Sequence, residues 1–406
     1  MGKRVLLVGL GMQGQAALYD LVNFSDVSIV VVDSRPDLTA MLNRYPSERI
    51  AGRSLDAGDE AALSELMRQA DVVIEALPGH FTLTLSRLAA KCGVSLVNSM
   101  YGLSPGERDP ERISSIRRQL AEIDRKARQT GLTILTEFGL DPGLDLLLAA
   151  KAIGEMDEVS ECHSYGAGLP GPHARANPLQ YKFSWSIIGV MRAYSRPAKI
   201  ISRGLVREIA SEQVFEAGNV HQLIVEEIGT SLECFPNGDA VHYAELFGIR
   251  NSVREMGRYT CRYPGHCAFW EVMVKSGFLD EKPLAVGDGP VSPMQFTAAL
   301  LGSQAQFHFA EDEQDLTLIR VDVRGTRAGK KARVVYQLVD TRDLVTGFTS
   351  MQRTVGFTMS LGARLILEGK LAHGLLTPLD IDYDLVIPAL QRHNLHVTRR
   401  ELPWNV

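Results

Sequence analysis

Val5-Leu6-Leu7-Val8-Gly9-Leu10-Gly11-Met12-Gln13-Gly14 is the stretch that decides how this chain is read. Its four apolar residues fit a buried strand, and G-x-G-x-x-G follows directly, where the apolar spacing predicts a helix over residues 12–22. In that setting Gly9, Gly11 and Gly14 permit a tight turn, close backbone approach to a pyrophosphate and close helix–strand packing. The helix start, with Met12 and Gln13, then turns its N–H groups toward phosphate charge. Asp33 closes the next apolar run, residues 27–32, roughly 20 residues after Gly14, where a carboxylate accepts hydrogen bonds from an adenosine ribose. The 2′-phosphate of NADP near 4 Å would be repelled by about 4 kcal/mol per charge pair at an effective dielectric of about 20. The expected cofactor is therefore NAD, with NADP second because Arg35, beside Ser34 at the same ribose edge, softens the repulsion.

Outward from this unit the alternation continues. Helices are expected over 36–45, 59–68, 82–92 and 107–130, and strands over 71–76, 94–97 and 132–136, with a further helix from 144 to about 153. Repeated βα units imply parallel strands with right-handed crossovers and helices on both faces. Ligands sit at the carboxyl ends of such strands, which adds Asp56, and the backbone of Ala76-Leu77-Pro78, to the cofactor-facing positions. From about 155 the pattern turns β-rich, with a hairpin expected at 316–324 and 332–339 around Gly325 and Gly329. Near 354 a helix returns, residues 356–368. The fold expected is α/β: a doubly wound Rossmann domain over 1–153, completed by 354–406, with a mixed α/β domain over 154–353 inserted for substrate binding and dimerisation.

Composition narrows the function class. With 45% apolar and 22% charged residues the chain is globular, and a net charge of −5 supplies no field for nucleic acid or anionic lipid. No apolar run reaches the roughly 18 residues of a membrane span. Five cysteines without a CxxC pair or a secretory signal point to reduced thiols in a cytoplasmic protein, without disulfides. Cys261, His266 and Cys267 have no second ligand pair at zinc spacing, so no metal is expected.

Longer motifs carry a resemblance. Glu137-Phe138-Gly139-Leu140-Asp141-Pro142-Gly143, Ser164-Tyr165-Gly166-Ala167-Gly168-Leu169-Pro170, and the stretch Asn177-Pro178-Leu179-Gln180-Tyr181-Lys182-Phe183-Ser184-Trp185-Ser186 join the glycine fingerprint and Arg262-Tyr263-Pro264-Gly265-His266. Together these resemble the saccharopine dehydrogenase family, most closely its imine-reducing branch. The resemblance implies that Tyr101 and Asp141 face the substrate, and that Leu140 and the segment Phe183, Trp185 and Ser186 approach the cofactor. It implies a small-molecule amine or imino-acid substrate and a homodimer. Two departures stand out: Gly166 replaces the family's cysteine, and Gly238 replaces an arginine that the reductase branch uses on a substrate carboxylate. Arg175 and Arg254 are candidates to replace that arginine.

The chemistry expected is hydride transfer between a nicotinamide and an imine or amine carbon. Asp141 would stabilise the cationic nitrogen, while Tyr101 or His266 would relay the proton. Helix N-capping alone would also explain Asp141. A redox-silent NAD(H)-binding regulatory protein is the competing function, motivated by the missing cysteine.

Overall fold

The computed structural model describes residues 2–45, 48–287 and 289–404. It opens with β1 (Arg4–Val8), α1 (Met12–Phe24), β2 (Ser28–Asp33), α2 (Leu38–Leu42), β3 (Ile50–Ser54), α3 (Glu60–Met67), β4 (Val72–Glu75), α4 (Thr82–Cys92), β5 (Ser95–Asn98), α5 (Pro110–Thr130), β6 (Thr133–Leu135) and α6 (Leu144–Ile153). Then come β7 (Glu158–Pro170), α7 (Ile187–Tyr194), β8 (Ala198–Ser202), β9 (Leu205–Ile209), β10 (His221–Val225), β11 (Thr230–Pro236), α8 (Ala240–Leu246), β12 (Glu255–Arg262), α9 (His266–Lys275), β13 (Leu284–Val286), β14 (Gly289–Val291), α10 (Pro293–Gly302), β15 (Asp315–Arg327) and β16 (Lys330–Thr341). The chain closes with α11 (Ser350–Leu367), β17 (Gly374–Leu376), α12 (Tyr383–Gln391) and β18 (Val397–Glu401). Two compact units result: Met1–Leu147 with Gln352–Leu395, and Leu148–Met351 with His396–Val406.

The first unit is a seven-stranded, all-parallel sheet in the order β17-β6-β5-β4-β1-β2-β3. Its central strands are buried on both faces, which is why they read as unbroken apolar runs such as Val5–Val8 and Val72–Ile74. Leu85, Leu88 and Ala89 of α4 and Ile123 and Ala127 of α5 pack with Leu6, Val8, Val73 and Leu96 on one face. On α1, Gly356 of α11 sits so close that a Cβ would stand 2.6 Å from that of Ala16. Buried Asp20 of α1 accepts a hydrogen bond from Ser360 Oγ (2.5 Å) and lies 3.3 Å from Arg364 Nη2. The returning helix therefore completes this unit and delivers β17 to its edge.

The second unit carries a nine-stranded mixed sheet with the path β10-β11-β12-β7-β15-β16-β18, to which β8 and β9 attach through β12. The expected 354–406 tail departs here. Because β18 pairs antiparallel with β16, residues from 396 onward belong to this unit and not to the dinucleotide-binding one. The expected hairpin forms, turning at the second of its two glycines. Ala328 and Gly329 both take positive φ (50° and 72°), as a two-residue type I′ turn requires, whereas Gly325 lies within β15 at a bulge against β7. The expectation of no disulfide is overturned as well. Strand register places Cys234 of β11 opposite Cys261 of β12, Cα atoms 4.1 Å apart, and their sulfurs are bonded. A 27-residue separation gives no local spacing by which to see this. Among the described residues no helix is long and apolar enough to cross a membrane.

Candidate active site

The glycine loop closes the end of β1, and each glycine has its own reason. Gly9 adopts φ 95°, and a Cβ there would press on the Ala76 carbonyl at 2.6 Å. A Cβ on Gly14 would stand 2.0 Å from the Gly9 carbonyl oxygen, so α1 can start this close to the loop only with glycine. At Gly11 the surroundings are open to 4 Å: nothing in the protein forbids a side chain, and the exposed backbone is left bare. Gly11 also caps α1 without a side-chain hydrogen bond, leaving first-turn N–H groups for an outside acceptor. Bare backbone, uncapped donors and an exposed Met12 together fit a pyrophosphate.

At the end of β2, Asp33 is held from three sides. Its Oδ2 accepts from Leu10 N (2.7 Å), and its Oδ1 from Arg35 N (2.9 Å) and Arg35 Nε (3.1 Å). Burial pushes this carboxyl up, but the hydrogen bonds from Leu10 and Arg35 outweigh it and leave the group below the ordinary aspartate value. It is an ionised carboxylate with a guanidinium fixed on it. Ser34 is exposed beside it, and exposed Asp56 folds back to accept from Gly58 N (2.8 Å) after β3.

The nearby strand ends carry the other expected site residues of the first unit. Ala76 N donates to the Val8 carbonyl (2.8 Å), fixing the loop with Leu77 and Pro78 beside the glycine turn. After β5, Tyr101 is half-buried in a segment whose Ser99 and Met100 contact neighbouring loops: a Cβ on Gly139 would stand 2.7 Å from that of Ser99, and one on Gly79 2.9 Å from the Met100 methyl. After β6, Glu137 takes φ 61°, uncommon for a residue with a Cβ, and the chain enters the Gly139–Gly143 turn with a cis Asp141–Pro142 peptide. That turn is tight enough that a Cβ on Gly143 would stand 2.1 Å from the Gly139 carbonyl oxygen. Leu140 is buried and Asp141 is exposed at the tip. The first N–H groups of α6 go to loop carbonyls, Leu144 N to Gly139 O and Asp145 N to Leu140 O, so the helix does not need the Asp141 carboxylate as its cap.

Four expected site residues lie in the second unit, and two of them, Phe183 and His266, are buried. His266 is 3% exposed; its Nε2 pairs with Tyr194 Oη (2.9 Å), to which Arg262 Nε also donates (3.0 Å). Burial, with the Arg262 charge beside it, holds the imidazole well below its ordinary value and hence neutral. The expectation of a proton relay at His266 is corrected accordingly: it belongs to the apolar core formed by Tyr181, Tyr194 and Trp270. Phe183 is buried in that core, 5.2 Å from the Tyr181 ring centroid. Trp185 covers Gly189, where a Cβ would stand 2.4 Å from the indole ring. Ser186 caps α7 by accepting from Gly189 N (3.2 Å). Of the two candidate arginines, Arg175 stacks on Tyr263 at 4.8 Å, and the Arg254 guanidinium lies against Gly204. Gly238 has φ 74°.

Sequence reading passed over Glu75 and Asn98, both buried at the ends of β4 and β5. The signal was present: a carboxylate closing the apolar run Val72-Val73-Ile74 breaks the pattern of a doubly buried strand.

Residues 5–135 match the family model described as the saccharopine dehydrogenase NADP binding domain, and residues 139–397 the saccharopine dehydrogenase C-terminal domain. The chain is 30% identical over 309 residues to saccharopine dehydrogenase (NADP(+), L-glutamate-forming) of Saccharomyces cerevisiae, covering 75% of this chain and 65% of that one. It is 26% identical to alpha-aminoadipic semialdehyde synthase of Arabidopsis thaliana over 409 residues, 83% of this chain and 37% of the relative. It thus spans less than two thirds of these relatives. In fold it is similar to apo saccharopine dehydrogenase (L-Glu forming) from Saccharomyces cerevisiae (TM-score 0.81, 24% identity, 99% of this chain and 100% of that one). Homospermidine synthase from Legionella pneumophila, solved with NAD, is similar at TM-score 0.69 and 12% identity, covering 100% of this chain and 92% of that one. The NADP description of the matched first domain runs against the expectation of NAD drawn from Asp33, whose carboxylate carries the Arg35 guanidinium. Its two matched domains place the chain in the saccharopine dehydrogenase family, with a nicotinamide-dinucleotide-binding Rossmann unit at its start.

Proposed function

We propose that this protein is an oxidoreductase acting at a C–N bond of an amino acid or related amine, with NADP(H) as its cofactor. The observation that carries the reading is the alignment, in one unit, of the bare Gly11 backbone with the loops bearing Tyr101 and Asp141 at the carboxyl ends of parallel strands. A nicotinamide bound there supplies or accepts the hydride. Exposed Asp141 stabilises the positive charge of the substrate nitrogen, and the Tyr101 hydroxyl moves the accompanying proton. NADP is favoured because the Asp33 oxygens are occupied by Leu10 and Arg35, while the half-exposed Arg35 side chain offers its charge to a 2′-phosphate. A higher kcat/KM with NADH than with NADPH would overturn that choice.

The substrate proposed is less acidic than saccharopine, because Gly238 stands where the family's reductases carry an arginine. Its positive φ means that simply restoring the arginine would strain the backbone. Steady-state kinetics with saccharopine, lysine and carboxylated polyamines decides the matter; efficient turnover of saccharopine would sink it. In the same assay Asp141→Asn should lose most turnover while keeping cofactor affinity and melting temperature. A homodimer is also proposed, supported by exposed Phe269 and Val272 on α9 and Phe296 and Leu300 on α10. A one-chain mass by light scattering would contradict it.

A further inference from the structure

Glu75 is the last residue of β4 and is 1% exposed, a burial that a carboxylic acid rarely has without a task. Beside it in the sheet lies Val8 of β1. The polar groups that face it are Thr82, the first residue of α4, whose Oγ1 donates to Glu75 Oε1 (3.3 Å), and Asn98, the last residue of β5, whose Nδ2 donates to Glu75 Oε2 (3.0 Å). Asn98 is itself fully buried, and it passes the link onward. Its Oδ1 accepts from Met100 N (3.3 Å), its carbonyl accepts from Phe138 N (2.9 Å), and the Met100 carbonyl accepts from Glu137 N (3.2 Å). Both segments that carry the proposed substrate-facing groups, Met100-Tyr101 and Glu137 to Asp141, therefore hang on Asn98, and Asn98 is oriented by Glu75. Gly79, in the loop that follows β4, packs on the Met100 side chain.

We propose that Glu75 is a positioning residue for the reaction: through Asn98 it holds the Tyr101 and Asp141 segments in register with the cofactor-facing loop after β4. The inference rests on the oxidoreductase reading above. Burial pushes the Glu75 carboxyl up to about 8, against the opposing hydrogen bonds from Thr82 and Asn98, so at neutral pH it keeps its proton and the floor of the cleft is uncharged. An amide has the same shape: its oxygen accepts from Asn98, and its N–H donates to the Thr82 hydroxyl, which then accepts instead of donating.

The test compares Glu75→Gln with Glu75→Leu in the full chain, using hydrogen exchange of residues 99–101 and 138–140, NADPH fluorescence titration, turnover and melting. Glu75→Leu should raise exchange in both segments and lower kcat at least tenfold, while the NADPH Kd stays within threefold. Glu75→Gln should restore both readouts to within threefold of wild type. If Glu75→Leu fails to fold, Asn98→Ser, too short to reach Glu75, cuts the same link and should give the same split. The proton adds a second readout. The unfolded chain releases it near the ordinary glutamate value and the folded chain only near 8, so wild-type stability falls as pH rises between them, and the melting advantage of Glu75→Gln should grow from pH 5 to 9. Unchanged exchange in the link-cutting variant, or wild-type turnover per folded molecule, would overturn the proposal. A wild-type protein that neither binds NADPH nor turns over an amine, with the exchange result intact, would instead refute the oxidoreductase reading alone.

Discussion

The parallel sheet of the first unit places polar groups at strand ends around a bare loop, whereas the mixed sheet of the second carries them along its strands. In the parallel sheet, Val5–Val8 and Val72–Ile74 are buried on both faces, so polar groups are pushed to the strand ends and the turns after them, where Asp33, Tyr101 and Asp141 sit. In the mixed sheet charges share a face with the core: Asp322 of β15 faces Arg333 (2.6 Å), Arg320 (3.7 Å) and Arg324 (3.8 Å), all partly or fully buried. Mutations should therefore damage binding in the first unit and stability in the second.

The largest effect is expected at Asp322. Asp322→Ala leaves three guanidinium groups facing one another without their shared carboxylate, and losing one partner of a buried pair costs about 3–5 kcal/mol. Urea denaturation should read that loss, while NADPH affinity of the folded fraction stays within threefold. An equal loss of affinity would break the comparison. Gly14→Val is the mirror experiment. Its Cβ cannot coexist with the Gly9 carbonyl, so the loop must shift, and NADPH affinity should fall at least about 100-fold, roughly 2.7 kcal/mol.

What could be read from sequence follows the same division. Gly9 and Gly14 were legible because backbone geometry dictates glycine there, Gly11 because it completes their spacing, and Asp33 because its distance from the loop is set by one βα unit. His266 was the expected proton relay, and no local pattern tells an imidazole above a cleft from one bonded to Tyr194 inside a core. The Cys234–Cys261 bond and the transfer of β18 to the second sheet are decided by strand register between distant segments, which periodicity does not encode. Glu75 was legible as an exception to an apolar run, and its meaning needed Asn98 beside it.

A smaller effect sharpens the reading of His266. His266→Phe removes the hydrogen bond to Tyr194, which keeps its bond from Arg262, so stability should fall by about 1–2 kcal/mol at pH 7 with kcat unchanged. The acid limb is more telling. Burial holds His266 well below its ordinary value and His163 down to about 4. Below about pH 6.5 the unfolded chain therefore takes up protons that the folded chain refuses, and stability falls as pH falls. His266→Phe should flatten that limb; a collapse of kcat would return His266 to the proton relay. The smallest effect is expected at Gly11→Ala, where open space accepts the methyl without a change in melting, yet the cradle is filled and NADPH affinity should drop about tenfold, roughly 1.4 kcal/mol.

The central claim is that the first unit holds the dinucleotide by the bare backbone between Gly11 and Gly14, with the reacting end directed to Tyr101 and Asp141. A crystal structure of the chain with NADPH tests it most directly. The account predicts pyrophosphate oxygens within hydrogen-bond distance of the first N–H groups of α1, the 2′-phosphate beside Arg35, and the nicotinamide between the loop after β4 and the Tyr101 segment. A pyrophosphate bound away from the start of α1, or a nicotinamide remote from both Tyr101 and Asp141, would contradict it.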